Sequence, residues 1–574
     1  MRRVLAPFSS LAFVCAVALA ASAQVNPPVP APSGPVNPPG SVTTPRPAPP
    51  TPPGSPAPSP SAGTLPGASA SPEGSPAPSE SPTPLATPTP PPIVVDPPQV
   101  NVEPGKLASA RINGVLGTVT VTIADPTVAT PVVDQVQRVL FVTGVKIGTT
   151  TITVTDQRGV TRDVPVRVAY AAGIAADSAA VRVTGNPASS DYLRDAIAKA
   201  VEHAATLRPG ASVNVPPETV PVKRDLAVDD RIELDVPVTM AGDGYFTVTG
   251  STHVVVENTA LPPIEPARLL VSDYPERLTA NGVLFTARLD RAQAQRFLYY
   301  HYNPGTEPAR RILLKAHNGS NAPATVQIIE GSAGPGTNEM EVGHLSTKRF
   351  LVRQARNEGL VTAIPAGATV NLVDYPLPPQ NIVSAVLQLR LVTGDPLDLA
   401  LVAQDEKAPP DQSFDTTLLL VGGSPHARGV YPVPTFYFDR TYDVDGEDLE
   451  IPIGQLPLPN LRSGEALSGD YGVEQSMNVV IVNMTRGPHS IALYANPRGG
   501  RATGTFLIDG TLVQAHALPA FSKFKIWQET INPGTFRRIR IVTMPEGGSS
   551  YPLRLIFAQD DGSAAPGAPG SPIY

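Results

Sequence analysis

The sequence predicts a mainly β chain: a small antiparallel sandwich, a small α+β module and two tandem β-sandwich units, preceded by a disordered Pro-rich linker. Three observations carry that prediction. Short segments alternate apolar with polar residues and are separated by Gly, Pro and Asp breakers. Proline supplies 69 of 574 residues, far above the usual share of about 5%, so helix cannot dominate. An internal repeat runs through the residues after 262.

The N-terminus reads as a secretory signal peptide. Arg2 and Arg3 form a charged start, residues 11–21 are apolar, and Ala21-Ser22-Ala23 is a small-residue cleavage site. The apolar run is half of the about 20 residues that a membrane span needs, so the chain is expected to be exported rather than integral to a membrane unless the signal stays uncleaved. Cys15 is the one cysteine and lies inside that run. Its removal leaves no thiol for catalysis, zinc or disulfides. The formal charge of −7 becomes −7 − 2 = −9 without Arg2 and Arg3, which leaves no basic surface for phosphates and excludes nucleic acid as a partner.

Residues 24–93 are Pro, Ala, Ser, Thr and Gly with hardly any charge, a composition with nothing to bury against its ordering entropy. They form the linker, and 562–574 a similar disordered tail. Between 94 and 170 the segments QVNVE, TVTVTI, RVLFVTG, TTTITVTD and DVPVRVAY are short and rich in Val and Thr, the pattern of antiparallel strands. Within them, "IADPTVATPVV", "VLFVTGVKIGTTTITVTDQRG" and "VPVRVAY" resemble the N-terminal domain of bacterial pilus-formation proteins and secretins, and equally a bacterial Ig-like domain. The resemblance implies an envelope or surface setting and envelope, pilus or secretion proteins as partners.

Residues 171–262 hold a helix that Ser189 or Ser190 caps and Asp191 supports, with Leu193, Ile197, Val201 and Ala204 on one face until Arg208-Pro209-Gly210. Strand-like runs around it predict the α+β module. His203 is expected on its surface.

Units 263–410 and 411–561 carry the repeat. Setting Asn318 over Asn483 places "NGSNAPATVQI" on "NMTRGPHSIAL" and Ile312, Leu314 and Ala316 on Met477, Val479 and Ile481. Further on, "LRLVT" at 389 matches "IRIVT" at 539, and "AQD" recurs at 403 and 558. Both asparagines lie in N-x-S/T sequons, but bonding of the side chain to its own turn is the expected role. "VSDYPERLTANGVLF", "LYYHYN" and "SGDYGVEQSMNVVIVNMT" resemble an exported bacterial family of unknown function found in cyanobacteria, which implies no activity.

Catalytic constellations are sparse. Ser522-Lys523-Phe524-Lys525 spells S-x-x-K in a strand-like stretch rather than at a helix start, so it is read as accidental. Metal candidates are His301, His317 and His344, one on each of three strand-like segments, and the acidic run Asp439, Asp443, Asp445, Glu447 and Asp448 as a calcium loop. A plain hairpin turning at Asp445-Gly446 also accounts for that run. Tyr299, Tyr300, Tyr302 and Trp527 are the aromatics for a surface-glycan platform, although Tyr299 and Tyr300 point to opposite strand faces. The expected function is therefore a non-enzymatic envelope or extracellular protein without a cofactor, serving adhesion, scaffolding or a pilus or secretion apparatus. The alternative is a secreted carbohydrate-binding or metal-dependent carbohydrate-active enzyme.

Overall fold

In a computed structural model of the chain, the described residues are 91–408, 414, 419–422, 426–462 and 464–563. The predicted signal peptide, all but the end of the linker and all but the start of the tail lie outside them. The fold is mainly β and built of sandwiches.

The first domain has β1 (Val94–Asp96), β2 (Val100–Val102), β3 (Leu107–Asn113), β4 (Thr120–Ile123), β5 (Ala129–Asp134), β6 (Val139–Gly144), β7 (Gly148–Thr155) and β8 (Thr161–Val168). They form two facing four-stranded sheets, β1-β3-β6-β5 and β2-β8-β7-β4. Alternation along each strand turns Leu140, Val142, Ile152, Val154, Val164 and Val166 into one core, as a half-buried pleat requires. β2, β4, β6, β7 and β8 are the expected strands. β1, β3 and β5 are additional: their "VVD", "LASARIN" and "ATPVVD" are shorter in apolar alternation or interrupted by Pro131.

The module that follows has β9 (Gly173–Ile174), β10 (Ser178–Thr184), α1 (Ser190–Ala204), β11 (Thr206–Leu207), β12 (Ser212–Asn214), β13 (Arg231–Ala241) and β14 (Val248–Asn258). Ser189 caps α1 by accepting from the Tyr192 N–H, and Leu193, Ile197 and Val201 form its buried face. His203 is exposed and bonds back to the Lys199 carbonyl through Nδ1 at 2.7 Å.

The first sandwich unit has β15 (Pro266–Ser272), β16 (Gly282–Leu289), β17 (Ala294–Tyr302), β18 (Arg310–His317), β19 (Ala324–Gly336), α2 (Glu339–Ala355), β20 (Gly359–Ile364), β21 (Thr369–Leu377), β22 (Ile382–Thr393) and β23 (Leu397–Asp405). After β24 (Arg428–Tyr431) comes the second unit. It has β25 (Thr435–Asp443), β26 (Leu449–Ile453), β27 (Glu474–Asn483), β28 (His489–Pro497), β29 (Ala502–Ile508), β30 (Thr511–Leu518), β31 (Phe524–Ile531), β32 (Thr535–Thr543) and β33 (Leu553–Gln559).

The strand orders of the two units coincide. One sheet runs β15-β17-β22-β19-β20 in the first and β25-β27-β32-β29-β30 in the second; the other runs β16-β23-β18-β21 and β26-β33-β28-β31. Even the parallel pairing of the first strand with the third is shared. "LRLVT" and "IRIVT" occupy β22 and β32, and the two "AQD" triplets lie at the ends of β23 and β33, Asp560 directly following the latter, so those matches fall on corresponding strands.

The match at Asn318 does not. Asn318 follows β18 and Asn483 ends β27, strands of different rank in their units. The structural counterpart of Asn483 is Asn303 after β17: Nδ2 of Asn483 donates to the carbonyl of Ile531 at 2.8 Å, and Nδ2 of Asn303 to that of Leu377 at 2.9 Å. The sequence match is one strand out because Asn318 and Asn483 form the same local turn. In each, Oδ1 accepts from the N–H and hydroxyl of the residue two on, Ser320 or Thr485.

The module and the first unit share one ten-stranded sheet, β12-β13-β14-β10-β20-β19-β22-β17-β15-β24. The sequence boundary at 262/263 thus falls between two strands of that sheet, and β24 from beyond residue 410 closes its edge. The join is the pairing of Val183 with Leu360 and Thr184 with Gly359, which covers edges that would otherwise be exposed. Lys199 of α1 adds an ion pair to Glu330 at 3.1 Å. Burial alone would raise the Glu330 carboxyl, but Lys199, Ser332, Tyr375 and Arg353 hold it down at about 2.

Candidate functional site

The chemistry-bearing side chains gather where the two sandwich units meet. Helix α2 has no counterpart in the second unit, where Asp509-Gly510 turns β29 directly into β30. It packs on β19 and β22 and also reaches β29. Gly331 lets it lie close, since a Cβ there would meet the Phe350 nitrogen and the Ser346 carbonyl oxygen at 2.3 Å. Leu269, Leu298, Ile329, Leu351, Leu507 and Met544 seal the junction as one apolar cluster.

A polar network sits inside this seal. His344 of α2 is buried, with Nδ1 2.9 Å from the Glu546 carboxylate and Nε2 3.2 Å from Oε1 of Gln514. Thr505 donates to Glu546 Oε1 at 2.7 Å, and Thr503 donates to Oε2 while lying 2.7 Å from Ser549. Burial opposes a charge on His344, but Glu546 and the two hydrogen bonds raise its pKa above the ordinary value. With a carboxylate at Nδ1 and the Gln514 amide oxygen at Nε2, the surroundings favour the protonated ring. His516 meets the ring edge-on at 4.4 Å; burial, then His344 itself, lowers its pKa.

A second cluster lies after β15. His426 bridges two carboxylates, with Nδ1 3.3 Å from Asp273 and Nε2 3.0 Å from Glu276. Burial pushes the Asp273 carboxyl up to about 6 against the pull of His426, and its Oδ1 has no hydrogen-bond partner. Sequence reasoning missed these three residues. The signal was the Ser-Asp-Tyr-Pro-Glu loop directly after a strand, but its histidine comes from about 150 residues further along.

The histidine trio does not come together. His301 on β17 is fully buried, with Nδ1 2.9 Å from the Pro275 carbonyl and Nε2 3.2 Å from the Ser272 hydroxyl; burial lowers it to about 4. His317 ends β18, bonds Thr369 at 3.1 Å and stacks on Phe414. His344, expected on a strand, lies on a helix. Each has different partners, and among the described residues no three His, Cys, Asp or Glu side chains are grouped to hold a metal. Asp443 ends β25 and Asp445 lies in the turn after it, closed by the Gly446 N–H donating to the Asp443 carbonyl at 2.9 Å. That turn is not the expected hairpin: β25 pairs with β27 and β26 with β33, so the chain crosses from one sheet to the other.

The aromatic platform is not formed either. Tyr299 and Tyr300 are buried, and Trp527 packs against the second core. Lys525 of the S-x-x-K string pairs with Asp560 at 2.5 Å, while the Ser522 hydroxyl donates to the Pro519 carbonyl.

Beside the junction a cleft of about 350 Å³ opens between α2, the 263–265 segment and the β29–β30 turn. Its floor holds Ile329, Leu351, Leu507 and Gln388, and its rim Glu265, Ala355, Gly510 and Arg540. Glu474 on the wall pairs with the buried Arg296 at 3.0 Å.

Residues 91–168 match the family model for the bacterial Ig-like domain (group 2), so this segment is similar to that family. No curated protein matches the chain. Among solved structures, domains 5-6 of the S-layer protein SbsC are 21% identical, with 29% of this chain and 97% of that one covered and a TM-score of 0.13. A Bacteroides ovatus mixed-linkage glucan utilization locus protein, SGBP-B, solved with a heptasaccharide, is 12% identical over 50% of this chain and 72% of its own, TM-score 0.11. Carbohydrate-binding modules of the β-sandwich superfamily are 10% identical over 55% and 97%, TM-score 0.14. Among the described residues no helix is long and apolar enough to cross a membrane.

Proposed function

We propose that this chain is an exported, non-enzymatic protein of the cell surface or extracellular space, in which the linker and Ig-like domain display a stiff pair of sandwiches for adhesion or scaffolding. The observation that supports this most is the buried junction: helix α2 is inserted in one unit and fastened to the other by the apolar cluster and the His344–Glu546 network. Side chains that could do chemistry there are spent on holding two domains in one orientation. A role as an accessory of a pilus or secretion apparatus is the finer form of this reading, supported by the signal, the spacer and the resemblance of residues 94–170.

An affinity pull-down of the tagged full-length chain from gently solubilised envelopes, with culture medium processed in parallel, tests it. Co-purification with pilus or secretion components supports the accessory role; recovery alone from medium refutes that role; retention in the cytoplasm refutes the proposal as a whole.

The Asp273–His426–Glu276 chain favours a second reading, a carbohydrate-active enzyme that uses a carboxyl of raised pKa as its acid. Turnover of any glycoside by the wild type, abolished in Asp273→Asn, would establish it.

A further inference from the structure

We propose that the cleft beside α2 binds a small neutral amphiphile: an aliphatic body with one hydroxyl or amide N–H donor. Its floor is apolar and buried, formed by Ile329, Leu351 and Leu507 from three different elements, yet these side chains border open space of about 350 Å³. A dry cavity of about 150 Å³ accommodates benzene, so this volume takes a molecule of on the order of a dozen heavy atoms.

Gln388 identifies the polar group. It is 5% exposed and lines the cleft. Its Nε2 donates to the Ile264 carbonyl at 3.0 Å, which fixes the amide orientation because a carbonyl can only accept. Oε1 is therefore left as a buried acceptor without a donor. Buried acceptors are normally satisfied, and a ligand hydroxyl or amide N–H supplies what the protein does not.

Charge decides the ligand's neutrality. Arg296, behind Glu474, faces both Glu474 and Glu265, and Arg540 on the rim brings two arginines against two glutamates, so no fixed charge is left over to compensate an ion brought onto an aliphatic floor. Access is from solvent, since Glu265, Ala355, Gly510 and Arg540 on the rim are exposed.

Saturation-transfer NMR on the full chain with hexanamide, hexanoate and hexylamine as probes tests the proposal. Hexanamide should bind saturably, and both ions at least tenfold more weakly. Ala355→Trp places a bulky ring on the exposed rim without touching the core and should abolish the signal. Gln388→Met keeps the shape, removes the acceptor and should weaken hexanamide by about five- to tenfold. Thermal unfolding of each variant checks that it folds, and Ala355→Trp alone remains decisive if Gln388→Met does not. No saturation transfer from hexanamide, unchanged binding in a folded variant, or equal binding of either ion overturns the proposal.

Discussion

Asp470 carries a cost that a single atom exchange should remove. The residue is buried, holds φ at 53°, and its Oδ1 has no partner. Burial pushes its carboxyl up to about 6, above the unfolded value near 4, so the ionised group destabilises the fold above pH 6 and ceases to do so below pH 4. Asparagine tolerates the left-handed backbone. Asp470→Asn is expected to raise stability by up to about 3 kcal/mol at pH 7.5 and by nothing at pH 3.5, which urea unfolding at the two pH values will show.

His301 works in the opposite sense. Held at about 4 by burial, it stays neutral in the fold while the unfolded chain protonates near 6.5. Its contribution is whole above pH 6.5 and is lost as pH falls toward 4, about 3 kcal/mol in all. His301→Asn, which keeps a donor for the Pro275 carbonyl, should show a shallower loss of stability across that window than the wild type. His344, whose folded value is raised, contributes most below 6.5 and less as pH rises, so the two histidines tilt the pH profile in opposite directions.

At the scale of elements, α2 rests on a contact between glycines. A Cβ on Gly343 would meet the carbonyl oxygen of Gly547 in the second unit at 1.7 Å. In an exposed helix Gly→Ala stabilises by about 1 kcal/mol; here Gly343→Ala should cost about 1–3 kcal/mol by forcing the two backbones apart, and calorimetry reads the sign. The turns allow a similar test. Asn483→Ala removes side-chain bonds to Gly487, Ile531 and Thr485 in a buried setting and should lower stability by about 2–3 kcal/mol.

The contrast between the helices explains what could be read beforehand. α1 displays a capped start and one apolar face because it packs on one side. The segment of α2, expected to be strand-like, gives no helical signal because it is covered on two sides, by its own sheet and by the other unit. Buried polar residues His344, Ser346, Thr347 and Arg353 interrupt its apolar stripe, leaving "EMEVGHLSTKRFLVRQA" without a helical period. For the same reason the cleft was illegible: Gln388 is an ordinary strand residue until Ile264 and α2 are placed beside it.

For the whole molecule, local alternation revealed strands but not their partners. Nothing near Val183 indicates that it pairs with Leu360, so the ten-stranded sheet had to be seen. That sheet, together with the apolar junction to the second unit, should make residues from 171 onward unfold together. The Ig-like domain touches them through a few polar contacts, including Arg167 donating to the Tyr245 carbonyl at 3.0 Å and Glu103 accepting from the Ala171 N–H at 2.7 Å. Differential scanning calorimetry should resolve two transitions, with the smaller one missing from a chain that lacks residues 91–168.

The same inequality of joints has a mechanical meaning. Under a pull along the chain, which loads the Ig-like domain and the ten-stranded sheet in series, the domain with its own small core is expected to yield first. Its extension would release roughly 250 Å of slack, as a fuse does, and force spectroscopy on the full chain should register that step before the paired sandwiches unfold.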